Sequence, residues 1–218
     1  MFNVAIELPQ YGDLALGFYG EVSTGELVDG EELAALCYLK RGDPQCSQVP
    51  WLKYVMDGEV RYVAKKPFRY GVSWQQLHNR GLVFGRTIEI RGKKYVVRLM
   101  QGGNAQPTDS AIGYDVTGGV GSEWNRLFYR ICKPTPYGNK NLTASEGSPT
   151  PWVSYTETDL LMHNSDGNGT LCWTQETHGY GSTYRVVRGF FGISSLDADE
   201  VNCSYHDYGW RPVLVPVE

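Results

Sequence analysis

The stretch Trp51-Leu52-Lys53-Tyr54-Val55-Met56-Asp57-Gly58-Glu59-Val60-Arg61-Tyr62-Val63-Ala64-Lys65 reads as a β-hairpin. Its arms, WLKYVM and EVRYVA, are aromatic and β-branched, and Asp57-Gly58 between them suits a type I′ turn, whose central residues need positive φ. A second hairpin follows: TIEI (87–90) turns near Arg91-Gly92-Lys93 and returns as KYVVRLM (94–100), with an alternation that buries one face. Residues 170–175 and 184–190 also read as strands, and residues 210–217 as a closing strand. Antiparallel β-structure is therefore the expected frame.

Short helices fit between these strands. Asp29 offers an N-cap for a helix over 31–39, with Glu31 and Glu32 opposing the dipole in its first turn. Ser73 caps a helix running through Arg80, with Gly81 as the left-handed C′ residue and Trp74, Leu77 and His78 facing inward. Ser122 opens another, in which Trp124, Leu127, Phe128 and Ile131 share one face. Thr156 with Asp159 resembles a capping box for a helix over 157–163. Residues 1–30 show no sustained period. The expected organisation is an N-terminal arm with a short helix over 1–50, making an assembly contact, and a globular domain over 51–218. Two long aperiodic stretches, 101–121 and 133–151, interrupt that domain.

The 218 residues are 41% hydrophobic and 20% charged and include six Trp, which supplies a core and excludes general disorder. The 26 Gly and 11 Pro are scattered without a triplet period, which excludes collagen and favours many short elements over a helical bundle. No apolar run reaches the roughly 18 residues of a spanning helix, so no membrane insertion is expected. The opening MFNVAIELPQYGD lacks the layout of a secretory signal. Net charge is −4 with dispersed Lys and Arg, leaving no basic footprint for nucleic acid. The five cysteines are widely spaced with no CxxC, and are expected to be buried thiols made in a reducing cytoplasm.

Few constellations suggest chemistry. Asn164, Asp166 and Asn168 alternate before Gly169 in the manner of a calcium loop, but Asn164 stands where Asp is wanted and Gln175 where a bidentate Glu is wanted. Such a loop would bind calcium weakly at best, and an Asx/Gly turn explains it as well. His78, His163, His178 and His206 form no HxxxH or HxH pair, and neither a G-x-S-x-G elbow nor a phosphate loop occurs. No catalytic residue, metal or cofactor is therefore expected. Trp173, Glu176, Arg188, Trp210 and Arg211 read as structural. Arginines in apolar strands need several acceptors, which carbonyls or Glu176 would supply. Residues 190–208 read equally as a recognition surface shared with Gly179-Tyr180-Gly181 and as a solvated loop packed on its own rings. The candidate ligand-binding residues of such a surface are Tyr180, Asp197, Asp199, Tyr205, His206 and Tyr208. Glu176, Asp197 and Asp199 are the grouped carboxylates that a glycoside-cleaving pair would draw on.

The ordered series GFYGEV (17–22), WLKYVMDGEVRYVAKK (51–66), VSWQQLHNRGLVFG (72–85), IRGKKYVVRLMQGGN (90–104), GSEWNRLFYRI (121–131), LCWTQE (171–176), RVVRG (185–189) and GWRPVL (209–214) resembles a family of tailed-bacteriophage virion structural proteins, of tail or tail-fibre type. WTQE, RVVRG and GWRP are also similar to the C-type-lectin-like core of formylglycine-generating-enzyme-like domains. The resemblance implies an α+β fold: a C-type-lectin-like domain of short helices around small antiparallel sheets, with an N-terminal arm. It implies a non-enzymatic virion protein, made in the host cytoplasm, assembled with other virion proteins and copies of itself, and able to bind a host-surface glycan. A capsid decoration or head-fibre protein and a polysaccharide-degrading virion enzyme are the alternatives. Phe190-Phe191 follows RVVRG and no close cysteine pair exists, so the copper chemistry of those enzymes does not carry over. The EPN, QPD and WND triplets of calcium-dependent lectins are also absent.

Overall fold

The computed structural model describes residues 7–103, 119–133, 151–162 and 168–217. Within them the hairpin read from residues 51–65 forms as β4 (Trp51–Met56) and β5 (Glu59–Ala64), paired from Trp51 opposite Ala64 to Met56 opposite Glu59. Asp57 and Gly58 take φ of 55° and 81°, the two positive values a type I′ turn demands. The second hairpin is β7 (Arg86–Ile90) and β8 (Lys93–Leu99), turned by Arg91 and Gly92 at φ of 49° and 76°. The late strand β13 (Pro212–Val217) lies between β5 and β8 and pairs antiparallel with both, placing Val213 opposite Val63 and Arg98. With β1 (Tyr11–Gly12) and β2 (Leu16–Val22), these strands make a seven-stranded antiparallel sheet, ordered β1-β2-β4-β5-β13-β8-β7.

The second sheet has six strands. Its members are β3 (Asp43–Pro44), β6 (Arg69–Tyr70), β9 (Leu171–Thr177), β10 (Tyr184–Gly189), β11 (Gly192–Glu200) and β12 (Tyr208–Trp210). Their order is β11-β10-β9-β12-β6-β3, antiparallel except where β12 runs parallel to β9. The fold is thus α+β, mostly antiparallel sheet with few short helices.

Alternation along the strands divides most of the described interior between two cores, with Val186 and Leu196 as a small third cluster. Trp51, Ala64 and Leu214 face one core with Leu33 of α1 (Gly30–Leu36) and Trp74 and Leu77 of α2 (Trp74–His78). Leu52, Val63 and Val213 face the other with Trp124, Leu127 and Phe128 of α3 (Glu123–Phe128) and Leu160 of α4 (Glu157–Leu160). Each β-strand residue points opposite to its neighbour, so one sheet feeds both cores. Among the described residues, α3 is anchored by charge as well. Glu123, 1% exposed, takes two bonds of 2.7 Å from Arg98 and one of 3.2 Å from Arg61, and accepts the Gln101 amide at 3.0 Å.

Several expectations need correction. The arm read over 1–50 does not extend to residues 16–39. β2 pairs with β4, Phe18 packs 4.9 Å from Tyr54, and Val28, Leu33 and Cys37 are fully buried. A register shift between Phe18 and Gly20, the latter at φ of 105°, breaks the alternation that would have revealed the strand. The closing strand read over 210–217 is two strands: Trp210 ends β12 in one sheet and Pro212 begins β13 in the other, with Arg211 between them. Residues 190–208 are not one long loop, because 192–200 are β11, paired with β10. His78 is exposed rather than inward, since α2 ends there and only Trp74 and Leu77 are buried. Caps at Asp29, Ser73 and Ser122 form as expected, Ser73 in a full capping box with Gln76.

Candidate functional site

The residues expected to be structural form the frame beneath the site. Arg188 on β10 donates to the carbonyls of Ser195 (2.8 Å), Ile193 (3.4 Å) and Gly102, and to Asn125 Oδ1 (2.6 Å). Arg211 donates to the Leu160 carbonyl. Both are 1% exposed; carbonyl and amide oxygens supply what the Arg188 guanidinium loses with water. Among the described residues, by contrast, Arg211 Nε and Nη1 are buried without a hydrogen-bond partner, and its group rests on the Trp124 and Phe128 rings instead. Glu176 is not among those acceptors. It lies fully buried with Oε2 on the Gly102 amide at 3.0 Å. Burial pushes its carboxyl up to about 7, against the lowering effect of the Gly102 amide. Trp173 donates from Nε1 to the Val72 carbonyl at 2.8 Å and stacks 4.8 Å from Tyr208. Trp210 is fully buried.

The surface over this frame is built at the β9–β10 end of the second sheet. His178 follows β9 and closes a short loop, accepting at its carbonyl the Gly181 amide and donating its own amide to Tyr184. Its ring is buried, and Nδ1 accepts the Tyr180 amide at 3.3 Å, which requires an unprotonated nitrogen. Burial lowers the imidazole pKa, with Asp197 pulling it back up. Tyr180, 45% exposed, lies 4.6 Å from the His178 ring and 5.4 Å from Tyr184, whose hydroxyl reaches Glu200 Oε1 at 3.3 Å. One residue on, the Arg185 guanidinium sits 4.3 Å over the Trp74 ring. Trp74 in turn stacks on His78 at 4.9 Å and 10°, and Phe84, 44% exposed, meets both rings edge-on at 6.0 and 5.9 Å. The arrangement is two small aromatic groups, Tyr180 with His178 and Tyr184, and Phe84 with Trp74 and His78, the second carrying the Arg185 guanidinium; exposed rings on buried ones suit non-covalent recognition.

The expected ligand-binding residues divide into two groupings. Tyr180 belongs to the first aromatic group, and Asp197, exposed on β11, lies near His178. Asp199, Tyr205 and Tyr208 form the other, where Asp199 accepts from the Tyr208 hydroxyl and from Cys203 Sγ at 3.2 Å. Tyr208 is corrected from ligand-binding to structural. It is 4% exposed, its ring is stacked on Trp173, and burial followed by the Asp199 contact raises its hydroxyl pKa. Tyr205 is 69% exposed and His206 is exposed beside Asp207 at 3.2 Å. Glu176 is sealed in the interior while Asp197 is on the surface, so the three grouped carboxylates do not line one cleft. Asn164 and Asp166 lie outside the described residues, and among the described residues no cluster of three or more metal-ligating side chains occurs.

Trp74, His78, Phe84 and Arg185 were not anticipated as site residues. The i, i+4 spacing of Trp74 and His78 on α2 was the available signal, and it reads equally as a core face. Comparison of the chain with protein-family models, with curated proteins and with solved structures finds no match.

Proposed function

We propose that this chain is a non-enzymatic structural protein of a tailed-bacteriophage virion, a tail or fibre component that presents the Phe84–Tyr180 surface to a host-surface glycan. The ordered motif series from GFYGEV to GWRPVL supports the virion assignment. A C-type-lectin-like frame is supported by the antiparallel β9-β10-β11 unit, the parallel β9/β12 pair, and the arginines of RVVRG and GWRP meeting in one core. The observation that carries the binding reading is two exposed rings each held on a buried one, Phe84 on Trp74 and Tyr180 on His178. Sugar faces are apolar and their hydroxyls polar, so fixed rings bordered by Glu200 and Asp197 offer both kinds of contact at low entropic cost.

A reconstruction of whole particles tests the proposal. Density for this chain at the distal tail, with Phe84 and Tyr180 facing outward, is the expected result. Density on the shell, with those rings packed against neighbouring subunits, would make the chain a decoration protein and overturn the binding reading.

A further inference from the structure

We propose that Arg185 is the anion-recognition group of this surface and that the saccharide it takes is acidic, bearing a carboxylate or a phosphate. The inference rests on the glycan-binding reading and narrows it to a substrate class.

Arg185 is a guanidinium with unused capacity. Nη1 donates to the carbonyls of Ser182 at 2.7 Å and Tyr184 at 3.0 Å, which fixes the group in place without neutralising it. Nε is buried and has no hydrogen-bond partner. Among the described residues Arg185 takes part in no ion pair, although it is half-buried over an indole. Nε is enclosed and out of a ligand's reach, so the atom that would take an incoming oxyanion is Nη2, which donates to no acceptor among the described residues. The obvious internal partner is occupied. Asp199 stands opposite Arg185 in the β10–β11 register, but its Oδ1 accepts from Cys203 and the Glu200 amide and its Oδ2 from Tyr208.

Charge around the group is graded. From residue 78 through 88 the chain carries His78, Arg80 and Arg86 and no acid, and Phe84 lies within this run. The acids Asp197, Asp199 and Glu200 all belong to β11, on the other flank of β10 from β9. An anion entering from the α2 side therefore meets Arg185 beside Trp74, with Phe84 and His78 supplying ring faces for the sugar and the acids of β11 on the far flank. The planar fork of Arg185 suits carboxylate and phosphate oxygens alike.

The experiment is calorimetric titration of the full chain with three oligosaccharides of similar length: an oligogalacturonate, a sugar-substituted glycerol-phosphate oligomer, and a neutral maltooligosaccharide. The expected result is binding of one or both anionic probes, and not of the neutral one, weakening as salt screens the charge. Arg185→Gln should then weaken binding by about tenfold or more, the scale of one charge-assisted contact. Phe84→Ala, at an exposed ring, should weaken it several-fold without changing the melting temperature. The carboxylate and phosphate arms identify the anion. Equal binding of the neutral probe, or undiminished binding by Arg185→Gln, would overturn the acidic assignment and leave the glycan reading standing. Binding of none of the three at millimolar concentration would overturn both.

Discussion

Arg188 and Arg211, which come from different places in the chain, converge on one indole. Their guanidinium carbons lie 5.3 and 5.2 Å from the centre of the Trp124 ring. Trp124 is fully buried, donates from Nε1 to the Ile193 carbonyl at 2.8 Å, and stacks edge-on against Phe128. Trp124→Ala should cost about 3–5 kcal/mol in urea unfolding, the range for truncating a large buried aromatic. A loss below about 1 kcal/mol would mean that the two arginines hold this core without the ring.

Glu176 and Glu123, both buried, should respond to pH with opposite signs. Glu176 has a folded pKa raised from 4.5 to about 7, so its contribution is fully present below pH 4.5 and is lost as pH rises to about 7. At ~1.4 kcal/mol per pKa unit the change is about 3 kcal/mol in all. Glu176→Gln should flatten that part of the stability curve, measured by denaturant midpoints from pH 4.5 to 8. A slope unchanged in the variant would assign the pH dependence to other groups.

Glu123 behaves the other way. Burial alone would raise its pKa, but the charges and hydrogen bonds of Arg98, with Arg61 and the Gln101 amide, hold it below 4.5. Its contribution is present above pH 4.5 and is lost as pH falls through the folded value. Glu123→Gln leaves Arg61 and Arg98 without their buried counter-charge and should cost about 3–5 kcal/mol at pH 7, with a smaller penalty at pH 3. Equal penalties at both pH values would show that shape rather than charge is lost.

The turn between β4 and β5 isolates a backbone effect. A Cβ on Gly58 would meet nothing within 4 Å, yet its φ is 81°. Gly58→Ala should therefore cost about 1 kcal/mol from left-handed strain alone. Asp57→Ala should cost a comparable amount, because Asp57 also receives two 2.8 Å bonds from Arg126. Thermal melts of both variants check this, and a neutral Gly58→Ala would argue against the I′ geometry.

Thiol chemistry reports on burial. Cys37, Cys132 and Cys172 are buried, and desolvation pushes the first two up to about 12, so the thiolate is scarce at neutral pH. Alkylation at pH 8 should modify no more than Cys46 and Cys203 in the folded chain and all five cysteines in denaturant. Rapid labelling of a third thiol under native conditions would mean that one of the cores opens.

What could be read in the sequence was whatever local chemistry dictates. The Asp57-Gly58 and Arg91-Gly92 hairpins and the caps at Asp29, Ser73 and Ser122 each depend on a few adjacent residues, and all form. β2 was missed because Gly17, Gly20 and a bulge interrupt its alternation, and pairing with β4 rather than propensity makes it a strand. β11 was missed because GISSLDADE is small and acidic, and it is held by the register with β10. Much the same holds for the site. Tyr180 could be picked from its Gly-flanked loop, but the Arg185–Trp74 stack joins residues more than a hundred positions apart, and no local pattern encodes it.

The position of β13 has a consequence for how the chain is made. The β4–β5 and β7–β8 hairpins can each close as soon as they are synthesised, yet they share no border until residues 212–217 come between them. The seven-stranded sheet must therefore wait on the ribosome as two open halves, each with a bare edge, and its final closure spans about 150 residues of intervening chain between β5 and β13, a slow event by loop-closure entropy. Nascent chains of this protein are most exposed to mispairing with one another in that interval, before the late strand emerges to seal them.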